Sequence, residues 1–251
     1  MSSVSKSVKS YDSSDPAYYD AFRVFLEHTN QKQNAMQWLE QAVSKLSQRR
    51  VLIDAGAGNG TLTQWLLESF DSGIGIEPNE SLFNELAPLC GRSHQVTIMD
   101  SEPEAIGDLV LCSHVFYYIP KSEWSSNLQR LLSWLDDEGV LVLALQNPRT
   151  DCMQMVQHFL GDSFDISQLV PMLNDMEGGP YRAELERVQA TIHANDLETA
   201  CQIAEFVLNV LPVPEGLPWG DLEKYVEERF ADLDGGYSFS CHQDFLKIQR
   251  Q

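Results

Sequence analysis

The residues with the clearest potential for chemistry form a glycine-rich loop that begins at an acidic side chain. Segment 51–62 reads Val-Leu-Ile-Asp-Ala-Gly-Ala-Gly-Asn-Gly-Thr-Leu, which places Asp54, Gly56, Gly58 and Gly60 in the pattern Asp-x-Gly-x-Gly-x-Gly. Glycine at such positions lets the backbone turn tightly and come close to a bound ligand. Because ligands of parallel sheets bind beyond the carboxyl ends of the strands, this loop predicts a binding site.

The spacing of the glycines narrows the class of ligand. A dinucleotide motif that began at Gly56 would need glycine in place of Thr61, and the Gly-Lys-Ser/Thr ending of a phosphate-binding loop is also missing. An acid in front of the loop disfavours a pyrophosphate and favours a ligand that carries an ammonium group. We therefore expect Asp54 to face the ammonium end of the ligand, directly or through a water molecule.

Two further acids follow the next two predicted strands. Glu77 lies in the sequence Gly-Ile-Glu-Pro, where its carboxylate can accept hydrogen bonds from both hydroxyls of a ribose. Asp100 is expected to end the third strand and to meet the edge of an adenine. Three such groups in order predict a nucleoside site, and a fold that has lost nucleoside binding is the alternative. The predicted nucleoside-binding residues are Asp54, Gly56, Gly58, Gly60, Glu77, Pro78, Asp100 and Ser101.

Alternating strands and helices are predicted to carry these residues. Two helices are expected within 16–48, where aromatic residues recur at helical spacing. Strands are predicted at 51–55, 73–77, 95–99, 108–113 and 139–145, with helices at 61–69, 81–89 and 127–135. Beyond them we predict helices at 152–160, 167–173, 196–210 and 220–230 and strands at 184–194 and 237–248. The alternation favours an α/β fold in which helices cover both faces of a parallel sheet.

The loop and the two later acids resemble the motifs of class I S-adenosylmethionine-dependent methyltransferases. This resemblance implies a doubly wound, Rossmann-like sheet of seven strands, mostly parallel, with a reversed last strand. It also implies S-adenosylmethionine as the methyl donor, with Ser113 bordering it. We expect an N-terminal helical lid at 1–48 and a methyltransferase domain at 49–251, with helical cap elements around 150–232.

Two segments outside these motifs resemble the histamine N-methyltransferase family. They are 18–29, Tyr-Tyr-Asp-Ala-Phe-Arg-Val-Phe-Leu-Glu-His-Thr, and 115–119, Val-Phe-Tyr-Tyr-Ile. Gln31 stands where that family has the carboxylate that contacts the substrate amine, and no aromatic residue lies at 151–156, where the family has a tryptophan wall. These departures make histamine itself an unfavourable substrate. The substrate-binding residues implied by the resemblance are Tyr18, Phe22, Gln31, Phe116, Tyr117 and Tyr118.

The chemistry of methyl transfer identifies further candidates. The reaction is an in-line displacement, which proximity and orientation can accelerate strongly. A protonated amine would first lose a proton to water or to a base. His114, which replaces a glutamine of the family, and His242 are the candidate bases, although either could serve only in packing. Gln146 and Asn147 follow the fifth strand and could bind substrate or simply end the strand.

The composition limits the classes of substrate and the cellular compartment that we expect for the protein. A net charge of −20 argues against a nucleic-acid substrate, because phosphate contacts need clustered lysine and arginine. Five scattered cysteines without a Cys-x-x-Cys pair fit a reducing compartment. No signal peptide, no metal-ligand spacing and no apolar run of about 18–20 residues is found. We expect a cytoplasmic protein that is not bound to a membrane.

These observations favour a small-molecule methyltransferase, and the resemblance to histamine N-methyltransferases alone implies that it acts on nitrogen. The alternatives are an O- or C-methyltransferase of a small natural-product-like substrate and a non-catalytic module that binds S-adenosylmethionine.

Overall fold

The computed structural model of the protein describes residues 6–11 and 16–251, in which helices and strands alternate as the sequence predicts. The first half contains α1 (Pro16–Glu27), α2 (Gln31–Ser44), β1 (Val51–Ala55), α3 (Thr61–Leu67), β2 (Ser72–Ile76), α4 (Glu80–Leu86), β3 (Arg92–His94), β4 (Gly107–Ser113), α5 (Trp124–Ser133) and β5 (Leu135–Gln146). The second half contains α6 (Asp151–Leu160), α7 (Leu169–Met172), β6 (Tyr181–Val188), β7 (Thr191–Ala194), α8 (Leu197–Leu208), α9 (Trp219–Phe230), β8 (Tyr237–Ser240) and β9 (Gln243–Arg250).

Seven of the strands form one sheet in the order β3-β2-β1-β4-β5-β9-β6, with one strand antiparallel to the rest. The pairs β1–β2, β1–β4, β2–β3 and β4–β5 are parallel, so the carboxyl ends of these strands lie at one edge. The seven-strand sheet expected from the sequence is therefore confirmed. Because β1 and β2 are parallel neighbours in this sheet, the loops that follow them lie next to each other. The candidate residues lie in these loops.

The central strands form the core of the sheet because their side chains are apolar on both faces. Leu52 and Ile53 of β1 are fully buried, as are Val110 and Leu111 of β4. Two covered faces are typical of parallel sheets, whose crossover helices pack on both sides. The buried core fixes the strand ends and thus the positions from which the loops leave.

The predicted third strand at 95–99 is wrong. The strand β3 is shorter and earlier, and its last pair joins His94 to Ile76 of β2. The backbone N–H of Glu77 still donates to the carbonyl of His94, but the N–H of Asn79, the next donor on the same side of the segment, bonds to the Glu77 carboxylate instead of extending the ladder. Residues beyond His94 consequently leave the sheet, and Asp100 lies in a turn rather than at a strand end.

Two other predicted strands are each divided in two. The predicted strand 184–194 becomes β6 in the large sheet and β7 in a separate two-stranded sheet with β8. The predicted strand 237–248 becomes β8 and β9, which likewise belong to different sheets. The sequence pattern could not reveal these breaks, because both halves of each segment are extended.

The chain divides into two compact units. One comprises residues 1–36, 146–164 and 188–243, and the other comprises 37–145, 165–187 and 244–251. The boundary between the units falls inside α2, and each unit combines segments that are distant in the sequence. The sequence suggests a lid at 1–48 and a cap around 150–232. That functional division remains a prediction. Within the described residues no helix is long and apolar enough to cross a membrane.

Candidate functional site

The three glycines of the loop after β1 adopt backbone conformations that other residues rarely reach. Gly56, Gly58 and Gly60 have φ values of 79°, 57° and 79°. A Cβ atom on Gly56 would lie 2.2 Å from Cγ2 of Val115, and one on Gly60 would lie 2.9 Å from Cδ1 of Leu86. A Cβ on Gly58 would meet nothing within 4 Å. The first and third glycines therefore allow close packing, and the second borders open space.

The N–H groups of the loop are bonded within the protein. Gly56 and Ala57 both donate to the carbonyl of Ile76, Gly60 donates to the carbonyl of Ala57, and Gly58 donates to Glu77. A loop that binds a pyrophosphate presents its N–H groups to the phosphate oxygens instead. The hydrogen bonding thus agrees with the glycine spacing in disfavouring a phosphate ligand.

The carboxylate of Glu77 is fixed at the end of β2. Its Oε2 accepts from the N–H of Gly58 at 2.9 Å, and its Oε1 accepts from the N–H of Asn79 at 2.9 Å. The side chain is only 7% exposed. A carboxylate has about four acceptor positions, so two stay available in a fixed direction for a pair of hydroxyls. This arrangement fits the ribose contact predicted for Glu77.

Asp54 lies buried below the loop. The hydroxyl of Thr63, on the first turn of α3, donates to its Oδ2 at 2.6 Å. Burial, together with the nearby negative charge of Glu77, raises the pKa of Asp54 to about 6, although the Thr63 hydrogen bond opposes the rise. Two neighbouring carboxylates favour a ligand with positive charge.

A turn over residues 97–101 carries the third predicted acid. The hydroxyl of Thr97 donates to the carboxylate of Asp100 at 2.7 Å and accepts from its backbone N–H at 3.3 Å. Asp100 is exposed, and Ser101 is completely buried. The Oγ of Ser101 has no hydrogen-bond partner among the described residues. Buried hydroxyls are normally paired, so Ser101 fits a position that a ligand or water completes.

The chain makes a sharp change of direction where β4 ends. Ser113 is its last residue, and His114 has φ of 60°, the one positive value of a non-glycine residue within 6–11 and 16–251. The backbone N–H of His114 donates to the carbonyl of Ala144 on β5. Such strain concentrates at functional sites. The turn also directs Val115 against Gly56, so the end of β4 and the glycine loop are built together.

The aromatic side chains after this turn differ in exposure. The His114 ring stacks on Tyr117 with centroids 5.8 Å apart, and loss of solvent lowers the pKa of His114 to about 4. Tyr117 is buried, Tyr118 is exposed, and Phe116 packs edge-on against Trp124 in the core. The substrate roles predicted for Phe116, Tyr117 and Tyr118 remain predictions.

Six of the predicted site residues belong to the compact unit formed by residues 1–36, 146–164 and 188–243, which does not contain the glycine loop. They are Tyr18, Phe22, Gln31, Gln146, Asn147 and His242. Tyr18 and Phe22 pack against Phe206 of α8 at 5.5 and 5.6 Å between ring centroids. Packing is therefore one established role of this aromatic helix face, and its substrate role remains a prediction.

The polar residues of that unit are tied to its backbone. Gln31 is buried, and its side-chain N–H donates to the carbonyl of Cys241 at 2.7 Å. The Nδ1 of His242 lies 2.8 and 2.9 Å from the carbonyl and N–H of Ala190, at the break between β6 and β7. Asn147 is buried, with its Oδ1 accepting from the N–H of Arg149, and Gln146 ends β5. The Asn147 contact is local, whereas those of Gln31 and His242 join distant segments of the unit, and the substrate or base roles remain predictions.

Sequence reading missed three residues that shape the site. Thr63 bonds to Asp54, and its position near the start of the helix after the loop could have indicated this. The N–H of Asn79, two residues beyond Glu77, completes the carboxylate anchor. Arg130 of α5 donates to the carbonyl of Ser101. No local pattern indicates the Arg130 contact, because 29 residues separate the two partners.

Comparison with known proteins gives one family and several similar folds. The sequence model of the family described as "Methyltransferase domain" matches residues 26–208. No curated protein sequence matches the chain.

Three solved structures illustrate the similarity of fold. The YcgJ protein from Bacillus subtilis has 14% identity and a TM-score of 0.59, covering 85% of this chain and 98% of that one. Magnesium protoporphyrin IX methyltransferase from Synechocystis PCC 6803, with bound SAH, has 13% identity and a TM-score of 0.57, covering 94% and 95%. The plantazolicin methyltransferase BpumL, in complex with SAH, has 12% identity and a TM-score of 0.54, covering 95% and 92%.

Proposed function

The chain belongs to the methyltransferase domain family and is an S-adenosylmethionine-dependent methyltransferase, and we propose that it methylates a nitrogen atom of a small molecule. The observation that carries the donor site is the fixed carboxylate of Glu77, which the N–H groups of Gly58 and Asn79 orient. The acceptor class rests on charge and on resemblance.

The described residues fit the methyl donor. Glu77 would hold the ribose hydroxyls, the turn at Asp100 and Ser101 would hold the adenine, and Asp54 would face the ammonium end. Pro78 follows Glu77 in the chain, Ser113 ends β4, and a Cβ on Gly58 would meet nothing within 4 Å. When bound, S-adenosylmethionine supplies an electrophilic methyl group and a positive charge. That charge suits a site in which two carboxylates, Asp54 and Glu77, lie close together.

The net charge of −20 supports a small acceptor rather than a nucleic acid. Polyanions are repelled by such a chain, whereas amines are attracted. The neighbours BpumL and magnesium protoporphyrin IX methyltransferase have names that specify very different acceptors, so fold alone does not select one. Nitrogen is favoured by the resemblance of segments 18–29 and 115–119 to histamine N-methyltransferases. Gln31, in place of that family's acid, makes histamine itself an unfavourable substrate.

The acceptor amine must present a lone pair, and His114 is the residue that we assign to this step. Its lowered pKa keeps the imidazole neutral at neutral pH, where it can accept a hydrogen bond from an amine N–H. The proton that a cationic amine loses would then pass to water. Stacking on Tyr117 holds the ring in place. Tyr118, which is exposed, is the tyrosine that we assign to the acceptor.

Incubation with methyl-labelled donor and fractionated metabolites tests the proposal. We expect label in a low-molecular-weight amine and none in RNA or protein. Label on oxygen or carbon would contradict nitrogen, and binding of S-adenosylhomocysteine without any transfer would indicate a non-catalytic module.

The role of His114 has a separate test with the identified acceptor. Asparagine tolerates positive φ and keeps an acceptor oxygen, whereas alanine keeps neither advantage. We expect His114→Ala to lower kcat by roughly tenfold, as for the loss of one hydrogen bond, and His114→Asn to retain more of it. Equal losses in the two variants, with unchanged donor affinity, would remove His114 from the proposal.

A further inference from the structure

The segment between β3 and β4, residues 95–106, contains the turn that we assign to adenine but has no regular secondary structure. Its local bonds, between Thr97 and Asp100 and from the N–H of Ser101 to the carbonyl of Ile98, fix the shape of the turn. They cannot fix its position against the sheet, because both partners of each bond lie within the turn. Its position must come from contacts with the rest of the unit.

Arg130, in the last turn of α5, provides such a contact. Its Nη2 donates to the backbone carbonyl of Ser101 and lies 3.8 Å from Oε1 of Glu102. The guanidinium carbon lies 5.9 Å from the centre of the Trp134 ring. The planar, permanently charged guanidinium can hold a carbonyl in one direction, which a flexible ammonium group does less well.

Other anchors of the segment act on residues other than Asp100 and Ser101. Nε2 of His94 lies 3.2 Å from Oε1 of Glu104, which is half exposed. The side chain of Ile98 is buried in the core. Neither contact involves the residues expected to meet the purine. Arg130 is bonded to Ser101 itself, so a change at Arg130 acts on the recognition turn first.

Two buried polar atoms at this contact point to an additional partner. Oγ of Ser101 and Nε of Arg130 both lack a hydrogen-bond partner among the described residues. Buried polar atoms of folded proteins are almost always paired with protein, water or ligand. An ordered water or the edge of a bound purine would satisfy them, which places the contact next to the recognition surface.

We propose that Arg130 is a positioning residue that fixes the Asp100–Ser101 turn and so determines how strictly the protein selects adenine over other purines. The inference rests on the proposed donor site, because that site places the purine at this turn. A displaced turn would still let the ribose and ammonium ends bind through Glu77 and Asp54. Loss of Arg130 should therefore weaken discrimination at the base more than it weakens binding as a whole.

The experiment compares two ligands that differ only in the purine. S-adenosylhomocysteine carries an amino group at position 6, and S-inosylhomocysteine carries an oxygen there. Their affinities are measured by calorimetry for the wild type, Arg130→Lys and Arg130→Met. Arg182→Met serves as the control, because Arg182 is exposed and pairs with Glu184 away from the turn. Thermal unfolding of each variant verifies that the protein is folded.

We expect the wild type and Arg182→Met to prefer the adenine ligand. Arg130→Met should bind it roughly tenfold more weakly while its affinity for the inosine ligand changes little, so that the preference is largely lost. Arg130→Lys should retain part of the preference. In turnover, Arg130→Met should raise the donor KM and leave kcat at saturating donor unchanged.

The outcomes separate the inference from the proposed function. If the wild type binds neither ligand, the donor site itself is wrong. If the wild type discriminates and folded Arg130→Met weakens both ligands equally, or neither, then Arg130 is an ordinary structural residue and the inference is overturned.

Discussion

The glycine loop at 54–60 and the turn at 97–101 serve the same proposed ligand but are held in place in different ways. Backbone N–H groups bond the loop to the end of β2, the strand next to β1 in the sheet. The turn lies beyond the last residues of β3 and is held by side chains, above all by Arg130 of a helix that follows much later in the chain. We infer that the loop is a rigid half of the site and that the turn is its adjustable half.

Loss of the Glu77 carboxylate should have the largest effect. Glu77→Ala removes the anchor of Gly58 together with the acceptor for two ribose hydroxyls. Since hydrogen bonds to a charged group each contribute about 1.5–3 kcal/mol, we expect a loss of roughly a thousandfold in affinity for S-adenosylhomocysteine. Calorimetry measures it, with Glu80→Ala, an exposed neighbour at the start of α4, as the control. A loss below tenfold would show that the Glu77 carboxylate does not hold the ribose.

Replacement of Asp54 tests how much its buried charge lowers the free energy of unfolding. The pKa of Asp54 is raised from 3.8 to about 6, so its ionisation destabilises the folded state as pH rises through that interval. Asp54→Asn should therefore increase the free energy of unfolding at pH 7 by up to about 3 kcal/mol, and the gain should decrease toward pH 4. Affinity for the donor should fall. Denaturant unfolding at several pH values measures the first effect, and a gain independent of pH would contradict the assigned pKa.

Gly58 and Gly161 provide a matched pair for the open space in the loop. Both have positive φ and no atoms within 4 Å of an added Cβ, so alanine should destabilise each by a similar 1–2 kcal/mol. Only Gly58→Ala should also weaken S-adenosylhomocysteine binding, by roughly tenfold or more, because the methyl group enters the space assigned to the ligand. Equal affinities of the two variants would mean that the ligand does not approach Gly58.

Loss of the hydrogen bond between Thr97 and Asp100 should have the smallest effect on ligand affinity. Thr97→Val removes the hydroxyl that bonds to Asp100, and we expect affinity for S-adenosylhomocysteine to fall about threefold, as for a single exposed hydrogen bond. Thr199→Val removes an equivalent hydroxyl from a Thr–Asp pair at the start of α8 and is the control. A loss greater than that of Arg130→Met would reverse the order of importance proposed for the turn.

The same contrast explains what could be predicted from the sequence. Asp54, the three glycines and Glu77 act through adjacent strands and short loops, so their spacing specifies both their elements and their neighbours. Asp100 is predicted to end a strand at 95–99, but the N–H of Asn79, which such a strand would need as a partner, bonds to Glu77 instead. The contact between Arg130 and Ser101 is tertiary, and no periodicity encodes it.

The predicted roles of Tyr18, Phe22 and His242 illustrate a second limit. An aromatic helix face or a histidine near a strand end has the same sequence signature whether it contacts a ligand or its own unit. Phe206 and the backbone of Ala190 are the partners that the structure identifies for them. A sequence pattern can indicate which residues are able to bind a ligand, but it cannot show which distant residues they contact instead.

The closed hydrogen bonding of the glycine loop has a consequence for the energetics of binding. Because the N–H groups of Gly56, Ala57, Gly58 and Gly60 already have acceptors, the loop loses little conformational entropy when a ligand arrives. Its amides should be protected from hydrogen exchange even in the ligand-free protein. Ordering on binding would then be concentrated at 95–106, so that exchange in this segment, rather than in the conspicuous glycine motif, would report occupancy of the site.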